Sequence, residues 1–124
     1  MPDHDTVFQV LRCRRRRLAI RVLDEADRPM SLGELAERVT AREVGVPRDA
    51  ITSAQRKNVY TALYQTHLSK LDDGDAVTLV DGQDAIRVGP GIDEYCRQLR
   101  VADRGPTLVE RARATVRALA GGVA

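Results

Sequence analysis

The sequence predicts a mostly α-helical fold with one small β-hairpin and additional helices at its C-terminal end. Three observations carry that expectation. Apolar residues recur at helical spacing in five stretches, breaks at Gly or Pro separate them, and two short β patterns flank an Asp81-Gly82 step. The 124 residues suit one domain of ordinary size, with 43% apolar residues for its core. Aromatic residues are only 3% and Trp is absent, so Leu, Val, Ile and Ala must build that core.

The first helix is expected from Thr6 to Asp24, where Gly and Pro are missing. Val7, Leu11, Leu18 and Val22 fit one face, Leu23 widens it, and arginines fill the rest. Asp27-Arg28-Pro29 ends it. Pro29-Met30-Ser31 is long enough only to add a few residues to a small sheet. Ser31 and Glu34 then have capping-box spacing, followed by Leu32, Leu35, Ala36 and Val39 at i, i+3, i+4, i+7. That helix ends near Glu43, before Gly45-Val46-Pro47. Thr52 or Ser53 can cap the next, with Gln55 at the box position, and it runs to about Asp72. Ala76–Val80 and Ala85–Val88 form the hairpin around Asp81-Gly82-Gln83-Asp84. Ile92, Tyr95 and Leu99 mark a further helix. After Gly105-Pro106, Thr107 and Glu110 open another, striped by Leu108, Ala112, Val116 and Leu119.

Helix, short strand, helix, helix, hairpin is the order of a winged helix-turn-helix domain. It is expected over residues 6–90. Residues 91–120 form a helical extension, which either packs back on the first helix or pairs with a second copy. A homodimer is the favoured expectation, because dimers match palindromic sites.

Composition excludes several classes. No apolar run approaches the length of a membrane span, and MPDHDTVFQV lacks the basic start and apolar stretch of a signal peptide, so a cytoplasmic location is expected. Cys13 and Cys96 fall in helical patterns far apart and are expected to be reduced thiols. No ligand spacing for a metal appears, so no metal or other cofactor is expected. No phosphate loop, nucleophile elbow or paired catalytic carboxylates appear, and an enzyme is not expected. The formal charge is only +2. Its distribution is polar, with Arg12, Arg14–Arg17 and Arg21 crowded together and Asp72, Asp73, Asp75, Asp81 and Asp84 elsewhere.

The helix from Ser53 is the most informative. With Val59 at zero and about 100° per residue, Tyr60, Leu63, Tyr64, His67, Leu68 and Leu71 cluster as the expected buried side. The opposite side holds Gln55, Asn58, Thr61, Ala62, Gln65, Thr66 and Ser69 and carries no charge. Amides and hydroxyls both donate and accept, as base edges in the major groove require. Gln55, Asn58, Thr61 and Gln65 are the candidate base readers. Arg56 and Lys57 flank them, within reach of phosphates or guanine. Arg14 and Arg15 are candidate phosphate contacts, or else the solvated side of the first helix. Arg87 on the second strand is a candidate for the minor groove or backbone, although acidic Asp81 and Asp84 oppose deep insertion of the wing.

Thr52-Ser53-x-Gln55-Arg56-Lys57, followed by Val59-Tyr60-Thr61-Ala62-Leu63-Tyr64-Gln65-Thr66-His67-Leu68-x-Lys70-Leu71, resembles a haloarchaeal winged-helix family of uncharacterised domains. The basic cluster before Leu18 and the Ser31-Leu32-x-Glu34-Leu35-Ala36 helix resemble it too. The resemblance covers about residues 10–90. It implies a winged helix and transcriptional regulation. The near-neutral charge departs from the strong acidity usual in extreme halophiles. The expected function is therefore a sequence-specific regulator that binds double-stranded DNA through helix 53–72. A winged-helix protein–protein interaction module without DNA binding is the alternative.

Overall fold

Where the sequence predicts one helix from Thr6 to Asp24, the chain forms two. The computed structural model describes residues 2–80 and 85–103. Helix α1 (His4–Leu11) ends at Arg12, and Cys13 is extended before α2 (Arg14–Ala26) begins. The arginines explain the break. Arg16 donates to the carbonyls of Val10 and Gln9, and Arg17 donates to that of Leu11 at 2.6 Å. These guanidinium groups satisfy the unpaired carbonyls at the C-terminus of α1, where a cation is also favoured by the helix dipole. Cys13 thus lies at the break, outside the helical pattern expected for it.

The α2 helix ends on Asp27 in the left-handed conformation. Met30 then makes a single antiparallel bridge to Ile86, with N–H to O distances of 2.9 and 2.8 Å. Helix α3 (Leu32–Val44) starts on Ser31, whose hydroxyl accepts from the Glu34 amide. The second half of the expected capping box is absent. Glu34 turns instead to Arg28 and Arg38, which hold its carboxyl down to about 2. A 3-10 turn (Arg48–Ala50) leads to α4 (Ser53–Ala62). There the Thr52–Gln55 capping box is complete, with both bonds formed at 2.9–3.0 Å.

Helix α4 passes through a π-turn (Leu63–His67) into α5 (Leu68–Asp73). Strands β1 (Val77–Val80) and β2 (Ala85–Val88) pair antiparallel, Val77 opposite Val88 and Val80 opposite Ala85. Helix α6 (Ile92–Asp103) closes the described chain. This is a mostly α-helical, winged-helix-like fold with a C-terminal helix. The expected hairpin turn 81–84 and the expected helix 107–120 lie outside the described residues.

One core joins the six α-helices, the π-turn and both strands. Ile20, Leu23, Leu35, Val39, Leu63, Leu71, Ile86 and Tyr95 are its largest fully buried apolar side chains. Helix α6 contributes Tyr95 and Leu99 and packs on α2 and α1. Within the expected extension 91–120, the described α6 packs back within the chain. Gly89 lets the end of the hairpin close on the turn after α5, because a Cβ there would stand 2.5 Å from the Asp75 carbonyl oxygen.

Candidate nucleic-acid interface

The π-turn decides which side of α4 faces outward. The Leu68 amide donates to the Leu63 carbonyl, an i to i+5 bond that places one extra residue in the turn. In an unbroken helix Leu68 would stand about 180° from Val59, opposite the core. The extra residue brings it back to about 80°, beside Leu63 and Leu71. Val59, Leu63, Leu68 and Leu71 are accordingly all buried.

Tyr60 and Tyr64 are displaced from that narrowed buried side. The sequence expectation that both are core residues is corrected: Tyr60 is 42% exposed and Tyr64 is 60% exposed. The outward stripe of α4 and the following turn is Ala54, Lys57, Asn58, Thr61, Tyr64 and Gln65, every one exposed. Its spacing is i, i+3, i+4, i+7, i+10, i+11, and no carboxylate interrupts it. The one signal of this arrangement in the sequence is the five-residue step between Leu63 and Leu68.

The other candidate residues divide by what they touch. Gln55 is half-buried and its amide oxygen accepts from the Thr52 amide, so the cap occupies the oxygen that bidentate pairing with adenine needs. Arg56 and Lys57 are exposed and, with Gly33, Ser53 and Tyr60, line a groove of about 360 Å³ at the start of α3. Arg15 is engaged by a carboxylate: its Nε donates to both carboxylate oxygens of Glu43, at 3.0 and 3.1 Å, tying α2 to α3. Arg14 is exposed. Arg87 is exposed on β2, and beside it lie Asp27, Arg28 and Pro29 from the end of α2, not α4.

Ion pairing sorts the cations further. Arg15, Arg21, Arg28, Arg38, Arg42, Arg48 and Arg97 each hold a carboxylate. Arg12, Arg14, Arg16, Arg17, Arg56, Lys57, Lys70, Arg87 and Arg100 have no ion-pair partner among the described residues, and Arg16 and Arg17 are taken up by backbone carbonyls. Arg56, Lys57 and Lys70 lie on α4 and α5, Arg12 and Arg14 lie beside Cys13, and Arg87 and Arg100 lie on β2 and α6. The Cys13 thiol is 3.9 Å from His67 Nδ1, so the break before α2 touches the end of the π-turn. His67 is held below its ordinary pKa by burial and by the charges of Arg16 and Arg15, and is a neutral packed imidazole at pH 7. Burial and the nearby Asp24 push the Cys96 thiol up to about 11. Among the described residues no group of three His, Cys, Asp or Glu side chains is placed to hold a metal ion. No described helix is long and apolar enough to cross a membrane.

Residues 8–87 match the family model described as "Domain of unknown function (DUF7344)". The chain belongs to the DUF7344 family. The matched region runs from Phe8 in α1 to Arg87 in β2. It takes in the whole α4 stripe, the π-turn and the flanking cations, while α6 falls beyond it. No curated protein and no solved structure matches this DUF7344 chain.

Proposed function

We propose that the domain is a sequence-specific DNA-binding regulator that lays α4 in the major groove of double-stranded DNA. The observation that carries this reading is the exposed stripe Lys57, Asn58, Thr61, Tyr64 and Gln65, free of carboxylates, with unpaired Arg56 and Lys57 at one end and Lys70 at the other. A solvated helix face ordinarily mixes both signs of charge. A polyanion with hydrogen-bonding base edges suits a face of amides, hydroxyls and uncompensated cations. Asn58, Thr61 and Gln65 act as base readers. Arg56, Lys57, Lys70, Arg12 and Arg14 contact phosphates. The haloarchaeal resemblance of the α4 segment supports the same reading. At high salt phosphate contacts weaken steeply, so an uncharged reading face supplies more of the affinity.

A mobility-shift titration of the full chain against genomic fragments, repeated across salt concentrations, tests the proposal. Binding is expected to fall with salt, and Lys57→Ala is expected to flatten the log–log dependence by about one phosphate's worth of slope. Gln65→Ala is expected to relax sequence preference. Absence of binding at every salt concentration overturns the proposal, and a protein captured by the same face would then favour an interaction module.

A further inference from the structure

Tyrosine is scarce in this chain. Of its three tyrosines, Tyr95 is fully buried and the other two stand in the open on one helix, one turn apart. Keeping two aromatic rings in water at i, i+4 forgoes the burial that such side chains ordinarily gain. The core does not require them, because Val59, Leu63, Leu68 and Leu71 already fill the inner side of the segment. Tyr64 belongs to the outward stripe itself, between Thr61 and Gln65. Tyr60 borders the groove that holds Arg56 and Lys57.

From this placement we infer that Tyr64 is a specificity-determining residue, its ring packing on the C5-methyl group of a thymine in the major groove. The inference rests on the proposed DNA reading and names a feature of the site that it selects. The thymine methyl is the one apolar mark on a major-groove edge, and an exposed ring within a polar stripe matches it. Neighbouring cations suit a polyanion, since Lys57 lies one turn before Thr61 on the same stripe and has no ion-pair partner among the described residues. Tyr60 stands nearer the phosphates and is assigned the rim of the same contact.

The test uses the full chain and a duplex selected by it from a random-sequence library. Each thymine of that duplex is replaced in turn by uracil, which removes only the methyl group. For the wild-type protein, replacement at one position is expected to weaken binding about fourfold, the worth of one buried methyl group. Tyr64→Ala is expected to abolish that difference, Tyr64→Phe to keep it, and Thr61→Ser to leave it in place. Thermal melts of the variants check that this exposed position leaves the fold intact. If uracil and thymine duplexes are distinguished equally by wild type and Tyr64→Ala, or if no thymine matters, the inference fails while the DNA reading stands. If no duplex is selected at any salt concentration, both fall.

Discussion

The Tyr95 hydroxyl donates to the Gly74 carbonyl at 2.6 Å, at the point where α6 meets the end of α5. Burial and the nearby Asp75 and Asp3 push the phenol up to about 12, so it remains a donor throughout the working range. Removing the hydroxyl leaves a buried carbonyl unsatisfied, and Tyr95→Phe is expected to cost about 1–2 kcal/mol in urea unfolding. Gly74→Ala places a Cβ 2.5 Å from the Tyr95 hydroxyl oxygen and 3.0 Å from Val10 Cγ2. It is expected to cost more, and to cost less in the Tyr95→Phe background; strict additivity of the two changes would show that they do not meet. His67 makes a second residue-scale case. Its depressed pKa means that the unfolded chain binds the extra proton first. Stability is therefore unaffected above the ordinary value of 6.5 and declines as pH falls below it. His67→Gln is expected to flatten the melting temperature between pH 7 and 5.5, and an unchanged pH slope would contradict the assignment.

At the scale of an element, the α4–α5 segment carries both the strength and the failure of local inference. Thr52 and Gln55 form their capping box because both partners lie within one turn. The choice of inward side was not local. Counting about 100° steps from Val59 puts Leu68 at about 180° and widens the buried side to take in Tyr60 and Tyr64; a single i to i+5 bond brings Leu68 back and narrows that side. The extra residue of the π-turn can be removed. Deleting Thr66 leaves Val59, Leu63, Leu68 and Leu71 separated by four, four and three, the spacing of an unbroken α-helix. That deletion is expected to retain cooperative unfolding with a midpoint at or above that of the wild type. Loss of cooperativity in a urea titration would show that the turn itself is required. The break between α1 and α2 teaches the same lesson, since Arg16 and Arg17 stop a helix that composition alone would have continued.

Across the described residues, charges serve cohesion, with seven arginines each holding a carboxylate. Arg15–Glu43, Arg21–Asp103 and Arg42–Glu25 fasten α2 to α3, to α6 and again to α3. These pairs are partly exposed, and each is worth about 1 kcal/mol or less. Helix α6 lies beyond the matched family region yet supplies fully buried Tyr95 and nearly buried Leu99 to the common core. A chain ending at residue 90 is therefore expected to lose at least about 3 kcal/mol of stability, the usual cost of removing one large buried side chain. Circular dichroism during urea unfolding checks this, and a truncated chain as stable as the full one would make α6 an appendage.

Local sequence sufficed for the cap at Ser31, for a cap at Thr52 or Ser53, for the breaks at Asp27 and Gly45, and for strands on either side of residues 81–84. Each depends on residues within a few positions of one another, where backbone preference and capping chemistry act without a distant partner. It also identified Asn58, Thr61 and Gln65 as an uncharged polar run. Packing between distant elements sets Tyr60 and Tyr64 outside, holds Arg15 to Glu43 and bridges Met30 to Ile86. Those outcomes join residues far apart in the chain, or depend on how α4 seats against α3. Which side of a helix is inward, and which cation is free, is set by the packing that surrounds it.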